Sequence, residues 1–405
     1  MKLEEAKALD AADPLAFTRQ RFRLPENIIY LDGNSLGALP AATMDELRET
    51  AEAEWGEDLI ASWNRHGWID APMRVAAKLA PIVGARPNEL LIADSTSVTL
   101  FKLLAAAVRA RPDRCTILTQ RHNFPTDLYV AQGLAEMLGL KLKAVAASEV
   151  AGPIDEDTAV VTLTQVDYRS AAVHDMRAIN EIAHAAGALT VWDLSHSAGA
   201  IELNLNTDGC DLAVGCGYKY LNGGPGAPAF LFVAEHLQDR LESPLQGWMG
   251  HADPFEFVDD YRPAGGIARF LTGTPSILAL AALEAGLNTF AGIAMRDVEA
   301  KGRALSELFI AEVEARCGNE VQLASPRSRR GSHVVFAHDE GYAIMQALIA
   351  RGVIGDFRAP DLMRFGFAPL YNSFAEMVRA AEILGEILAS REWDQPRFRE
   401  RARVT

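Results

Sequence analysis

Two residues stand where chemistry is easiest to build: Asp193, in the apolar run ALTVWDL (188–194), and Lys219, just after DLAVGCG (211–217). A carboxylate at the carboxyl end of a buried strand is half desolvated and calls for a cationic partner. A lysine in the same place has a lowered pKa, so its amine is nucleophilic and able to form an imine. Taken singly, Asp193 serves equally well as a helix N-cap, and Lys219 as an ordinary surface lysine. Together, 26 residues apart on successive strands, they meet two demands of pyridoxal phosphate (PLP). The lysine holds the aldehyde, and the carboxylate keeps the pyridine nitrogen protonated. The phosphate needs donors at a helix N-terminus, and DSTSVTLFKLL (94–104) opens a helix with Ser95, Thr96 and Ser97, a pattern that also suits a plain cap. RHNFPTDL (121–128) offers Phe124 as a ring to stack on the cofactor, although a core phenylalanine is the default.

The elements that must position these groups read as an α/β fold. Short apolar runs at 90–95, 115–120, 159–166, 188–194, 211–217 and 228–234 alternate with helical patterns at 99–110, 126–139 and 176–187. Near-continuous apolar strands separated by helices predict a parallel sheet covered on both faces, with ligands at the carboxyl ends of its strands. The C-terminal third differs. It carries helical patterns at 274–292, 298–318, 342–352 and 377–390 and strands at 333–338 and 362–370, which predict a smaller second domain. The closing segment REWDQPRFRERARVT (391–405) reads as a charged, frayed tail.

Composition narrows the partners. The 405 residues are 49% hydrophobic and 23% charged, ordinary globular values that exclude disorder. A net charge of −15 opposes nucleic acid and anionic membrane, and an anionic small substrate then needs local positive groups. Cys115, Cys210, Cys216 and Cys317 form no Cys-x-x-Cys pair and read as buried thiols. No metal site is called for. The N-terminus has no signal-peptide pattern and no apolar run is long enough to span a bilayer, so a cytoplasmic protein is expected.

Further motifs carry a resemblance. YLDGNSLG (30–37), FPTD (124–127), DLSHSAG (193–199), YKYLNGGPG (218–226), GWMGH (247–251) and APLYNSF (368–374) occur in the order found in the kynureninase family of fold-type I PLP enzymes, over nearly the whole chain. The resemblance implies a large PLP-binding domain over 46–276, with a mostly parallel sheet covered by helices, and a smaller α+β domain from 1–45 and 277–405. It implies Lys219 as the Schiff-base lysine, Asp193 as partner of the pyridine nitrogen and Phe124 stacked on the ring. Thr96 and Ser97 would bind the phosphate, with Asp127, Thr164, Tyr218 and His196 also around the cofactor. Trp248 and Thr274 would reach the cofactor of the neighbouring subunit of a homodimer. Arg364 would clamp the substrate's α-carboxylate, where the alternative reading is a domain-bridging salt bridge. Asn34, Ser35, Trp63, His66, His251 and Gly273 would line the substrate pocket, although Asp-Gly-Asn-Ser is also plain turn chemistry.

The implied activity is hydrolytic Cβ–Cγ cleavage of L-kynurenine to anthranilate and L-alanine, with the 3-hydroxy derivative as an alternative substrate. Its setting would be tryptophan catabolism, with supply of an NAD-biosynthesis precursor as a second use. Gly273 and Thr274 are similar to the bacterial form, which favours kynurenine. Tyr218 is the candidate for proton transfer near the substrate carbonyl. The alternatives are a cysteine desulfurase, an aminotransferase or another PLP lyase, or a non-catalytic protein on this fold. A desulfurase needs a mobile nucleophilic cysteine late in the chain, and Cys317, on a helical pattern, looks like packing. A dehydrogenase lacks its Gly-x-Gly-x-x-Gly turn, since NGGPG (222–226) fits neither that nor a P-loop.

Overall fold

Strand β1 (Leu90–Ile92) opens a seven-stranded sheet completed by β2 (Thr116–Gln120), β3 (Lys141–Val145), β4 (Thr158–Thr164), β5 (Leu189–Asp193), β6 (Leu212–Gly215) and β7 (Phe230–Val233). The computed structural model describes residues 1–401. The spatial order is β1-β7-β6-β5-β4-β2-β3. Strands β2 to β6 run parallel, and β7 lies antiparallel to both β6 and β1. Every residue of β1, β2 and β4 to β7 is buried. The exception is β3, an exposed edge strand whose Lys141 and Lys143 discourage further strand pairing. It went unread in the sequence because its polar residues break the apolar run.

The crossover helices form for legible reasons. Helix Met176–Ala186 begins where the Asp175 carboxylate accepts from the Ala178 amide and ends at Gly187, whose φ of 78° suits a residue without Cβ. Its buried positions Met176, Ile179, Asn180 and Ala183 fall on one helical face. A close approach that bears on the site lies elsewhere, at Gly37. A Cβ there would sit 2.4 Å from the Lys219 carbonyl oxygen and 2.8 Å from the Asn222 Cα, so only glycine lets the 30–37 loop lie on the lysine loop.

A four-stranded antiparallel sheet forms the second unit: β8 (Gln322–Leu323), β9 (His333–Ala337), β10 (Asp356–Arg358) and β11 (Leu362–Gly366), in the order β10-β11-β9-β8. The two-residue period sends Val334, Phe336, Met363 and Phe365 into a core with Phe309. His333, Val335 and Arg364 take the other face. The two hydrophobic cores divide later than the expected boundary at 276/277. Leu280, Leu283 and Leu287 of helix Ile277–Asn288 pack into the large core, and the second core takes Leu31 from the N-terminal segment and then resumes at Leu305, inside helix Met295–Cys317. The C-terminal segment is not frayed over 391–401. Trp393 and Phe398 are buried in the second core, and Arg399 pairs with Glu340 and Asp394. The last four residues of that expectation lie outside the described residues. Among the described residues no helix is long and apolar enough to cross a membrane.

Candidate active site

Sheet register brings the first groups together. Thr164 ends β4 and Asp193 ends β5, and the two are direct parallel partners. One Asp193 oxygen accepts from the Ser195 amide at 2.8 Å, a local turn rather than an α-helix cap. Facing it is Asp127, on the first turn of helix Pro125–Leu138 and 3% exposed. Burial, then the Asp193 charge beside it, pushes the Asp127 carboxyl well above the usual carboxylate range. The Thr164 hydroxyl lies between Asp127 Oδ2, at 2.9 Å, and Asn123 Oδ1. The hydroxyl donates to one or other of these two acceptors.

Lys219 is buried on the loop after β6. Its Nζ lies 3.3 Å from His196 Nε2 and 5.6 and 5.8 Å from the ring centroids of Phe124 and Tyr218. His196 Nε2 also meets the Asn34 carbonyl at 3.1 Å. Burial first, then the Lys219 and Arg364 charges, hold His196 well below the ordinary histidine range, so it is a neutral neighbour. Burial raises the Tyr218 hydroxyl far above its usual value, with Cys216 and Asp193 adding to it, so Tyr218 stays a neutral hydroxyl that can donate a hydrogen bond. Helix Thr96–Arg109 begins with no side-chain cap, leaving its first amides to an outside acceptor. Its loop is braced from behind: buried Lys102 pairs with Asp94 and donates to the Phe270 carbonyl at 2.8 Å. Asp127 Oδ1 and Asn123 Nδ2 are buried without partners. An amine, a carboxylate, a stacking ring and a helix N-terminus around such orphaned atoms fit PLP.

Arg364 approaches from the second unit. It is a direct cross-strand partner of Asp356 and grips that carboxylate through Nε, at 2.8 Å, and Nη2. Nη1 donates to the Tyr168 carbonyl at 2.7 Å and Nη2 to Ser35 Oγ at 3.1 Å. Turned so that its side-chain oxygen faces the guanidinium, Asn34 accepts from Nε and Nη2 at 2.9 and 3.0 Å. Part of the salt-bridge reading is thus realised, within one sheet, while the Tyr168 and Ser35 bonds join the two units. Gly366 lets the loop approach, since a Cβ there would overlap the Asn34 amide. Asp32 is pushed up to about 7, by burial and then by Asp356.

The remaining expected residues sit apart. Trp63 packs edge-on against Trp68 at 6.0 Å, and His66 bonds Asp58 at 2.7 Å. His251 accepts from the Asp253 amide and packs on Tyr261. Trp248, 37% exposed, packs with Phe255 and Phe257. Gly273 and Thr274 line a cavity of about 170 Å³ with Asp94 and Gly226. None of these joins the Lys219–Asp193–Arg364 group within one chain. Sequence reasoning missed Asn123, Tyr168, His333 and Asp356. Only Asn123 carried a signal, as neighbour of Phe124.

With this geometry established, relatives were compared. The chain is 50% identical to the kynureninase of Pseudomonas fluorescens over 408 residues, covering 98% of each. It is 48% identical to that of Burkholderia mallei over 412 residues, covering 99% of each. The chain belongs to the kynureninase family. A model described as the kynureninase C-terminal domain matches residues 298–384, beginning near the division between the two cores. The fold is shared more widely. The apo structure of a cysteine desulfurase from Thermococcus onnurineus NA1 superposes with a TM-score of 0.79 at 21% identity, covering 92% of this chain and 98% of that one. A C-DES mutant with glycine covalently linked to its PLP cofactor superposes at 0.78 with 17% identity, covering 90% and 98%. The family's sequence match and this fold identify PLP as the cofactor. Three of the four cysteines are buried thiols, and Cys115 is half-buried. Cys317 is buried in a helix and its thiol is pushed up to about 11, and burial likewise raises Cys210 and Cys216.

Proposed function

We propose that the chain hydrolyses L-kynurenine at its Cβ–Cγ bond, giving anthranilate and L-alanine, with Lys219, Asp193 and Arg364 as the groups that set the reaction. The observation that carries the site assignment is their convergence: a buried amine between Phe124 and His196, the carboxyl group of Asp193 beside that of Asp127, and a guanidinium from the second unit. PLP bound here supplies the electron sink for charge released at the substrate's Cα.

The chain's own residues do the rest. Lys219 would hold the cofactor's aldehyde and, as a free amine, would take the substrate's Cα proton. Asp193 holds the proton on the pyridine nitrogen, and neutral Asp127 beside it spares the site a second negative charge. Phe124 fixes the ring plane, while Thr96, Ser97 and the helix N-terminus hold the phosphate. Arg364 and Asn34 take the substrate carboxylate, with Ser35 steadying the guanidinium. Tyr218 donates a proton at the oxygen of the Cγ carbonyl as water adds.

The reading extends to a homodimer of the cytoplasm, with Trp248 and Thr274 of each subunit serving the partner's cofactor. The exposed aromatic cluster of Trp248, Phe255 and Phe257 supports it. It also places the reaction in tryptophan breakdown, with precursor supply for NAD biosynthesis as a further use. Lys219→Ala tests the assignment: turnover falls to background while circular dichroism and the unfolding midpoint stay native. Turnover within about tenfold of the native enzyme, a change of only ~1.4 kcal/mol in barrier, would overturn it.

A further inference from the structure

His333 is wholly buried, and among the described residues neither ring nitrogen makes a hydrogen bond of good geometry; the Tyr168 backbone beside it is a weak partner whose carbonyl is already gripped by Arg364. Other histidines in the fold are served: His174 by Gln120, His184 by Asp211, and His196 by Asn34 and Lys219. Orphaned donor and acceptor atoms on one buried ring are costly and call for a group that arrives later. Strand register says where that group lies. Val335 pairs with Arg364 and His333 with Gly366, so His333 and Arg364 project from the same face of the small sheet, away from the core taken by Val334 and Phe336. The His333 ring stands 5.6 Å from that of His196, which meets Lys219. The Tyr168 carbonyl on the facing loop is taken by Arg364. Burial, with Arg364 and Lys219 nearby, drives the His333 pKa down to about 3, so the ring stays neutral and keeps one N–H to donate.

We propose that His333 is a substrate-binding residue that donates a hydrogen bond to the α-carboxylate of the amino-acid substrate held by Arg364. The inference rests on the reading of Arg364 as the carboxylate clamp. A neutral donor strengthens the grip on an anion without crowding a further cation between Arg364 and Lys219.

The test compares His333→Phe, which keeps the ring and loses the donor, with His333→Gln, which keeps a donor. Both are PLP-loaded full-length proteins. L-Kynurenine kinetics are measured alongside inhibition by its decarboxylated amine, and the bound-cofactor absorbance reports loading. His333→Phe should raise KM about 10- to 100-fold, the range for a hydrogen bond to a charged group, with kcat within about threefold. His333→Gln should recover most of that, and inhibition by the amine should be unchanged in both. Unchanged KM in His333→Phe overturns the proposal. So does equal weakening of amine and amino acid, or a shift in the cofactor's absorbance titration with KM unmoved, which would mean that His333 acts through His196. Arg364→Lys separates the parent reading. If it leaves discrimination between amino acid and amine intact, the carboxylate lies elsewhere and that reading fails. If it weakens the amino acid while His333→Phe does not, only the role of His333 fails.

Discussion

Replacing Gly37 with alanine probes the coupling between the 30–37 loop and the lysine loop. The added Cβ would lie 2.4 Å from the Lys219 carbonyl oxygen, 2.5 Å from Asn222 Oδ1 and 2.8 Å from Asn222 Cα. Two of these atoms are backbone, so no rotamer change relieves the clash. Reaching ordinary contact separates the loops by roughly 1 Å, and overpacking of this kind costs about 1–3 kcal/mol. The same shift breaks the 2.8 Å bond from the Gly37 amide to the Tyr218 carbonyl and carries Lys219 with it. A displacement of about 1 Å at a reacting group costs on the order of 100-fold in rate. Gly37→Ala should therefore lower the urea midpoint and cut kcat/KM by about two orders of magnitude. Gly133→Ala is the control. It lies within helix Pro125–Leu138 with nothing within 4 Å of its Cβ, and should stabilise by about 1 kcal/mol with activity unchanged. Native kcat/KM in Gly37→Ala would refute the claim that the two loops are locked together.

Asp356→Asn should destabilise the fold by about 3–5 kcal/mol in denaturant titrations, because Arg364 is left as a buried charge without its bidentate partner. Asp32 has a folded pKa of about 7 against an ordinary aspartate value of 3.8, so the folded state holds this proton where the unfolded chain has released it. Its contribution is therefore present below about pH 4 and lost as pH rises through about 7. Asp32→Asn should flatten the Tm profile between pH 4 and 7, and an unchanged slope would count against that assignment. Asp175→Ala removes the cap of helix Met176–Ala186 and should cost about 1 kcal/mol in urea unfolding while sparing turnover.

The parts of the site legible in the sequence are those fixed by local rules. Asp193 ends an apolar run, Thr164 is placed by its spacing from Asp193, and Lys219 follows the next strand, so the sheet delivers them to the carboxyl ends of its central strands. Asp127 follows Phe124 by three residues, at the first turn of a helix. What stayed hidden depends on pairing over distance. Asp356 and Arg364 meet because β10 and β11 fold against each other, and nothing in GVIGDFRAP (352–360) distinguishes Asp356 from a turn residue. His333 looks like one residue of an ordinary strand until register places it beside Arg364. The later division of the cores follows from helix Ile277–Asn288, which is apolar on most sides and is claimed by the large core through Leu280, Leu283 and Leu287. The tail misled through its charge, since Trp393 and Phe398 anchor a segment that is mostly polar.

Product analysis with purified protein, added PLP and L-kynurenine tests the central claim most directly. The account predicts anthranilate and L-alanine in equal amounts, no sulfide from L-cysteine under the same conditions, and no product from Lys219→Ala. Kynurenine left intact by a protein whose PLP absorbance shows a fully loaded site would contradict it.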